Sequence, residues 1–230
     1  MTEKITAFLP CRAGSERVPH KNIKRFHNYN FGLIEIKLKQ LDKVTGIDEI
    51  VLSTNDPSIL EYAKNLKVKK LRIHKRSELL SSNKTSTDEL VNHALDLIPE
   101  GDILWTHVTS PFVTNQHYEE IISCYKDKKR KGYDSLMTVT EIYSFLWQDG
   151  EPLNYNRNVE KWPRTQTIKP ISEVNSAIFL ASSEVYRNNN DRIGSKPYLY
   201  KLDKIISHDI DWPEDFIIAE CMVEKGIVSL

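Results

Sequence analysis

The chain has 230 residues, of which 40% are hydrophobic and 28% are charged, so it can bury a sizeable core. Its 32 Lys and Arg residues balance 32 Asp and Glu residues, which argues against a general nucleic-acid binder, since such a protein needs a surplus of cations. Three scattered cysteines without a CxxC pair argue against a zinc ribbon or a disulfide framework. No apolar stretch resembles a signal peptide or a membrane span, so we expect a cytoplasmic protein with no membrane partner.

Short apolar runs alternate with helical patterns through the first 130 residues. Strands are predicted at 5–11, 48–54, 68–74 and 102–108. Helices are predicted at 32–44, 55–66, 85–98 and 115–128. This alternation is typical of βαβ units, so we predict an α/β fold with a three-layer, Rossmann-like, mostly parallel sheet. Its ligand crevice should lie at the carboxyl ends of the strands.

The pattern changes after Asp134. Strands are predicted at 135–141, 145–148 and 173–181, and a closing helix at 213–225. The stretch from Glu151 to Pro170 is rich in Pro, Asn and Arg and has no helical period. We therefore predict a single domain, 1–230, with an irregular inserted arm at 141–172.

The loop after the first predicted strand carries an excess of cations. Arg12, Arg17 and Lys21 accompany a single acid there, and Gly14 permits a tight turn in which backbone N–H groups converge on an anion. A solvated surface loop is the alternative, but its place at the end of a strand favours a phosphate site. The loop matches neither GxGxxG nor GxxxxGK[ST], which disfavours hydride-transfer enzymes and P-loop NTPases.

Two carboxylates near the end of the chain are the second signal. In extended backbone Asp209 and Asp211 point the same way, and Mg²⁺ is typically held by one or two carboxylates plus substrate phosphates. Spacing alone favours a different role for Asp211, as the cap of a helix that contains Pro213 and Glu214 in its first turn. The two roles do not exclude each other.

Both motifs resemble those of the acylneuraminate and related sugar-acid cytidylyltransferases. The pattern Arg-x-Gly-Ser-x-Arg-x-Pro-x-Lys-Asn at 12–22 is similar to their nucleotide-binding loop, and Asp-x-Asp-x-x-x-Asp-Phe at 209–216 to their metal-binding end. Those enzymes join CTP to a 2-keto sugar acid and release pyrophosphate. The resemblance implies a fold of the nucleotide-diphospho-sugar transferase type, CTP and a small sugar acid as substrates, Mg²⁺ as cofactor, and a homodimer formed through the arm at 141–172.

The resemblance also implies roles for individual residues. Nucleotide binding falls on Arg12, Ala13, Gly14, Ser15, Arg17, Lys21, Asn22, Arg76, Ser86 and Thr87. Binding of the sugar acid falls on His107, Thr109, Ser110, Asn175 and Gln166. Asp209 and Asp211 would hold the metal, and Arg12, Lys21 and Asp211 would be catalytic.

Several of these positions have alternatives. His107 replaces a family glutamine that lines the sugar site, and it either titrates near neutrality or is a satisfied strand-end side chain. Ser176 replaces a family glycine. The neighbouring Asn175 has a structural alternative as a hydrogen-bonded amide in a buried strand. These departures leave the acid itself open, with 3-deoxy-manno-octulosonate as the runner-up substrate and a non-catalytic nucleotide-binding module as the alternative outside the class.

Three further assignments stay open from the sequence. The family arginine that precedes Glu-Leu falls on Lys75 or Arg76, and either Ser86 or Thr87 suits a helix N-cap. The basic run at 126–131 ends a predicted helix, where cations suit the helix dipole. We interpret that run as a solvated face and predict no nucleic-acid partner.

Overall fold

The computed structural model describes residues 4–230, so residues 1–3 of the predicted domain lie outside it. The first half of the chain forms β1 (Ile5–Cys11), α1 (Gly32–Asp42), β2 (Glu49–Thr54), α2 (Pro57–Lys64), β3 (Leu71–Lys75), α3 (Thr87–Leu97), β4 (Asp102–Thr106) and α4 (Asn115–Arg130). The second half forms β5 (Ser135–Ile142), β6 (Trp147–Gln148), β7 (Glu151–Pro152), β8 (Ile171–Ser182), α5 (Ser183–Asn189), β9 (Pro197–Lys201) and α6 (Pro213–Glu224). A short 3₁₀ turn spans Glu78–Ser81.

Seven strands form the main sheet in the order β3-β2-β1-β4-β8-β5-β9. The pairs β2–β3, β1–β2, β1–β4 and β5–β9 are parallel, and β8 runs antiparallel to both of its neighbours, β4 and β5. The predicted mostly parallel sheet is therefore confirmed. Because the strand order reverses between β1 and β4, a crevice is expected where these two strands end.

Helices cover both faces of the sheet and make the three layers. One apolar cluster joins the sheet to α1, α2, α4 and α6, through side chains such as Leu33, Ile59, Ile121 and Phe216. A second cluster joins the opposite face to α3 and α5, through Val91, Ala94 and Tyr186. Among the helices of residues 4–230, none combines the length and the apolar character that crossing a bilayer requires.

The helix starts follow local signals in the sequence. Asp56 caps α2, since its carboxylate accepts the Ser58 N–H at 2.9 Å and Pro57 occupies the first turn. Ser86 caps α3 through its hydroxyl, which accepts the Glu89 N–H at 3.1 Å, and the Glu89 carboxylate accepts the Ser86 N–H in return. Of the two candidates for this cap, Ser86 therefore takes the role.

The predicted and the observed elements differ mainly in the second half of the chain. The strand predicted at 145–148 is wrong in its first two residues, because only Trp147–Gln148 pair, in a small hairpin with Glu151–Pro152 outside the main sheet. The helix α5 and the strand β9 were not predicted. Helix α5 has only seven residues, and β9 lies at the sheet edge and begins with a proline, which edge strands tolerate.

Candidate active site

The basic loop leaves β1 at the crevice and is held in a tight conformation. Gly14 adopts a φ of +75°, the left-handed conformation that glycine accommodates without strain. The Ala13 N–H donates to Asn55 Oδ1 at 2.9 Å, and Asn22 Nδ2 donates to the Arg12 carbonyl at 3.0 Å. These contacts tie the two ends of the loop together and to the residue that follows β2, so that its cations converge on one volume.

That volume is a cavity of about 280 Å³. One wall is formed by the side chains of the loop, namely Arg12, Ser15, Arg17, Lys21 and Asn22. The other wall comes from the end of β4 and from the segment before α6, with His107, Thr109 and Asp211. The cationic loop near the start of the chain and the acidic segment near its end therefore face each other across one cleft.

Asp211 is in direct contact with the loop. Lys21 Nζ lies 3.1 Å from Asp211 Oδ1, and Arg17 Nη1 lies 3.2 Å from Oδ2. Lys21 Nζ also donates to the Ile210 carbonyl at 2.7 Å. Partial burial raises the pKa of Asp211, but the hydrogen bond and charge of Lys21, with the charge of Arg17, outweigh it, so the pKa lies below its ordinary value. Asp211 is thus an ionised carboxylate on the cavity wall.

The alternative role of Asp211 as a helix cap is wrong. It is the Asp215 carboxylate that receives the N–H groups at the start of α6, from Asp211 at 3.0 Å and from Trp212 at 2.8 Å. The cap therefore uses the backbone of Asp211 and leaves its side chain for Lys21 and Arg17. Arg17 is further held by its guanidinium, whose Cζ lies 4.8 Å from the centroid of the Trp212 ring.

Asp209 lies deeper in the same crevice. The Ile210 N–H donates to the Thr109 carbonyl at 2.9 Å, which fixes the acidic segment against the loop after β4. Burial raises the pKa of Asp209, the nearby charge of Asp211 adds to that, and a hydrogen bond from the Thr109 side chain opposes it. Asp209 and Asp211 border the same two further cavities, of about 770 and 320 Å³. Asp211 thus borders all three cavities and Asp209 borders two of them.

The carboxylate pair suits a hard divalent cation that shares its ligands with a substrate. Within residues 4–230 no cluster of three or more His, Cys, Asp or Glu side chains converges as a self-sufficient metal site. Mg²⁺ does not need one, because it usually binds one or two carboxylates and completes its shell with phosphate oxygens and water. Asp209 and Asp211 supply that minimum donor set next to a cavity rich in cations.

His107 follows β4 and borders the crevice, and it is a neutral side chain. Trp105 Nε1 donates to His107 Nε2 at 3.0 Å, so the imidazole proton resides on Nδ1. Burial is the main cause that lowers the pKa of His107 to about 3, and the charge of Arg192 adds to it. The alternative that His107 titrates near neutrality is therefore wrong.

Thr109 and Ser110, which follow His107 in the loop after β4, differ in whether they face the crevice. Thr109 borders two of the cavities, whereas Ser110 is buried and lines none of the three. Ser110 turns toward α1, where the buried Lys37 donates from Nζ to the Ser110 carbonyl at 2.9 Å and to the Val113 carbonyl at 3.3 Å. The Ser110 hydroxyl is buried and has no hydrogen-bond partner among residues 4–230, so its contact with a sugar acid stays a prediction.

Lys75 and Arg76 differ in burial, and neither borders any of the three cavities, so which of them contacts the nucleotide stays a prediction. Lys75 is exposed, whereas Arg76 is buried, with its Nε donating to Ser81 Oγ at 3.1 Å. The charge of Arg76 also acts on Cys11 and Arg12, which places the guanidinium behind the basic loop. Thr87, at the start of α3, borders the 320 Å³ cavity.

Asn175 has its hydrogen bonds satisfied within the protein. Its Oδ1 accepts from Thr138 Oγ1 at 2.7 Å and from the Ala177 N–H at 3.2 Å, and its Nδ2 donates to Thr140 Oγ1 at 3.0 Å. These bonds bridge an irregularity in the β5–β8 register between Met137 and Val139. Asn175 borders the 770 Å³ cavity, so a structural role is established and a ligand contact stays a prediction.

Gln166 lies in the arm, exposed to solvent, and borders none of the three cavities. Within one chain the structure does not bring Gln166 to the site.

The basic run at 126–131 lies at the end of α4, where Asp127 pairs with Arg130 at 3.6 Å and with Lys131 at 2.7 Å. Part of its charge is thus neutralised within the helix, in accord with a solvated face.

Sequence reasoning missed four residues that shape the crevice: Asn55, Trp105, Lys37 and Arg192. Asn55 carried a signal, because it follows β2 at the same sheet edge as the basic loop. The sequence predicts that Trp105 lies in a buried strand, but it does not predict the hydrogen bond from Trp105 to His107. Lys37 and Arg192 carried no signal, since the sequence gives no sign that a charged side chain will be drawn inward.

Comparisons with known proteins identify the family of the chain. A family model described as cytidylyltransferase matches residues 6–206. The chain is 27% identical to N-acylneuraminate cytidylyltransferase B of Danio rerio, over 93% of this chain and 50% of that protein. It is 29% identical to pseudaminic acid cytidylyltransferase of Campylobacter jejuni, over 95% of this chain and 96% of that protein.

Solved structures share the fold at lower identity. A CMP:2-keto-3-deoxy-manno-octonic acid synthetase complexed with CTP superposes with a TM-score of 0.67 at 14% identity, covering 97% of this chain and 99% of that one. The 4-diphosphocytidyl-2C-methyl-D-erythritol synthase of Anaerococcus prevotii gives 0.63 at 16% identity, covering 96% and 99%. The chain spans about half the length of the curated N-acylneuraminate relatives that it matches. Because the family model covers most of the sequence, the chain belongs to the cytidylyltransferase family.

Proposed function

We propose that this protein transfers the cytidylyl group of CTP to a 2-keto sugar acid, a sialic acid or a related nonulosonate, and releases pyrophosphate. The observation that carries the proposal is the position of Asp211, which Lys21 and Arg17 hold on the wall of a cavity that Arg12 also lines. Cations that can bind a triphosphate and carboxylates that can bind a metal thus share one crevice, as nucleotidyl transfer requires.

The chemistry needs little covalent participation from the protein. The anomeric oxygen of the sugar acid forms a bond to the α-phosphorus of CTP as its proton passes to solvent, and the bond from that phosphorus to the pyrophosphate oxygen breaks. Arg12, Arg17 and Lys21 offset the charge that accumulates on the β- and γ-phosphates. Positioning and charge neutralisation account for most of the catalysis in such transfers. His107 is neutral and accepts a hydrogen bond at Nε2, so its role is to orient a substrate group rather than to carry charge.

Asp209 and Asp211 are the residues that would hold Mg²⁺. The ionised Asp211 and the more easily protonated Asp209 border the same cavities, and their oxygens are the donors that this ion prefers. When bound, Mg²⁺ would supply charge neutralisation at the phosphates and would lower the pKa of the attacking hydroxyl. Lys21 and Arg17 each pair with one oxygen of Asp211, so Mg²⁺ would bind this carboxylate as the two cations turn to the phosphates of CTP.

The test is pyrophosphate release from CTP with a panel of acids, with and without Mg²⁺. The panel contains N-acetylneuraminate and pseudaminate as nine-carbon acids and 3-deoxy-manno-octulosonate as the eight-carbon acid. We expect turnover with a nine-carbon acid that disappears in EDTA and returns with Mg²⁺. Preference for the eight-carbon acid would move the assignment to the runner-up substrate. Tight CTP binding without pyrophosphate release from any acid would favour a non-catalytic nucleotide-binding module.

We also propose that the protein is a homodimer and that the arm at 141–172 forms the interface. The arm exposes apolar side chains, among them Val159 at 84% and Trp162 at 63%, as an interaction surface does. A Val159→Asp variant should be monomeric by light scattering, whereas Thr165→Asp on the same arm should stay dimeric. A wild-type monomer would contradict the proposal. The contact of Gln166 with the acid, the cytoplasmic location and the lack of a nucleic-acid partner stay predictions.

A further inference from the structure

Two neighbouring aromatic rings, those of Trp105 and Phe179, form a platform near the carboxylate pair, and Trp105 lines the 320 Å³ cavity there. Trp105 of β4 and Phe179 of β8 are direct partners in the antiparallel ladder, so their side chains stand next to each other on one face of the sheet. Trp105 lines the cavity together with His107 and Thr109. This platform belongs to the rigid centre of the sheet.

Arg192, in the loop between α5 and β9, is placed over this platform. Its Cζ lies 3.7 Å from the centroid of the Phe179 ring and 4.8 Å from that of Trp105. A guanidinium that stacks in this way on an aromatic face keeps its N–H donors around its edge, free for a planar acceptor. Among residues 4–230, no side chain or carbonyl accepts a hydrogen bond from this guanidinium and no carboxylate lies within ion-pair distance, although the charge of the neighbouring Asp191 acts on it. Arg192 is thus a positioned cation whose donors are not used by the fold.

The charges around this cavity are sharply divided. Among the described residues Arg192 is the one cation that borders it, His107 is neutral, and Asp209 and Asp211 supply two carboxylates. An anionic group that enters the cavity is repelled by the two aspartates and attracted to Arg192. A carboxylate also matches the guanidinium edge, since two parallel N–H···O bonds form between them.

We infer that Arg192 binds the carboxylate of the acid substrate and selects acids over neutral sugars. This inference rests on the proposed function and adds a residue to it. Resting on the Trp105–Phe179 platform, Arg192 holds the acid end of the substrate in the 320 Å³ cavity, so that the remainder extends toward Asp209 and Asp211. The side chain therefore acts on the affinity for the acid and leaves the affinity for CTP unchanged.

The experiment compares N-acetylneuraminate, pseudaminate and 3-deoxy-manno-octulosonate with the methyl ester of each, in wild type, Arg192→Met and Arg192→Lys. Pyrophosphate release gives KM for the acid and for CTP, and isothermal titration gives binding of the acid without turnover. Arg187→Met is the matched control, because Arg187 is an exposed arginine of α5 whose contact is with the Pro99 carbonyl at 3.0 Å.

We expect Arg192→Met to raise KM for the acid by roughly 10- to 100-fold, the scale of losing a charge-assisted hydrogen-bonded pair, with KM for CTP unchanged. The preference for acid over ester should collapse in Arg192→Met and be partly kept in Arg192→Lys. An equal rise of KM for acid and ester in Arg192→Met would overturn the inference. A wild type that does not prefer the acid over its ester would also overturn it, and this comparison needs no variant to fold. Binding that depends on the carboxylate without pyrophosphate release would support Arg192 and overturn the transferase. Failure of every acid to bind would overturn both.

Discussion

Lys21 and Asp211 are 190 residues apart in the sequence, and Lys21 Nζ lies 3.1 Å from Asp211 Oδ1. The contact is possible because β1 and β4 are neighbours in the sheet and end at the same edge. The basic loop leaves β1 there, and the segment before α6 crosses the same edge, fixed by the bond from the Ile210 N–H to the Thr109 carbonyl. The crevice is therefore a product of strand order.

The first prediction concerns Asp211. Asp211→Asn keeps the size of the side chain and removes the charge that faces Lys21 and Arg17, so kcat/KM for the transfer should fall by about 10²–10³, the scale of losing one transition-state stabiliser. Steady-state pyrophosphate release with saturating Mg²⁺ measures it. Glu214→Gln, an exposed neighbour in the first turn of α6, is the control and should be unaffected. A folded Asp211→Asn protein with wild-type turnover would show that this carboxylate has no part in catalysis.

The second prediction concerns His107, whose pKa is lowered to about 3, chiefly by burial. The imidazole should be neutral at every pH between 5 and 8, so the rate ratio of wild type to His107→Gln should stay constant over that range. The same low pKa makes the free energy of unfolding fall as the pH falls. Below a pH of about 6.5 the histidine of the unfolded chain binds a proton while the buried His107 does not, so acid destabilises the wild type relative to His107→Gln by up to about 1.4 kcal/mol per pH unit. An inflection of the rate ratio near pH 6.5 would contradict neutrality.

Much of this architecture is readable from local pattern. The run from Ile5 to Cys11 is predicted residue for residue because a buried parallel strand is apolar along its whole length. The basic loop is readable for a related reason, since its cations and Gly14 follow directly from that strand. Position in the βαβ series then indicates where the loop must lie.

The parts that could not be predicted depend on distant contacts. Lys37 lies in an ordinary amphipathic helix, and its burial is caused by carbonyl groups of the loop after β4, 73 and 76 residues away. Arg192 lies over the rings of Trp105 and Phe179, and no local sequence pattern predicts these contacts. A charged side chain is exposed by default, and only tertiary structure supplies the exception.

The third prediction concerns Ser176. Its φ is +58°, a backbone conformation in which a side chain is strained. Ser176→Gly should therefore stabilise the fold by about 0.5–1 kcal/mol in chemical denaturation, net of the greater chain entropy of glycine. Ser172→Gly in the same strand β8 is the matched control and should destabilise by a similar amount, since its backbone is not left-handed. Equal destabilisation by both variants would show that the backbone at 176 is not strained.

The last prediction concerns Lys37, which is fully buried and whose Nζ donates to two carbonyls and to the Tyr118 hydroxyl. Burial lowers its pKa to about 7. Between pH 7 and about 10.4 the unfolded chain keeps a proton that the folded chain has released, so raising the pH stabilises the fold by up to about 1.4 kcal/mol per unit. Lys37→Met should lose this rise, as measured by urea denaturation at pH 7, 8 and 9. Lys39→Met, two residues away and exposed, should keep it. If wild type and Lys37→Met change in parallel, Lys37 stays protonated inside the protein, and its three acceptors together outweigh the cost of burying the charge.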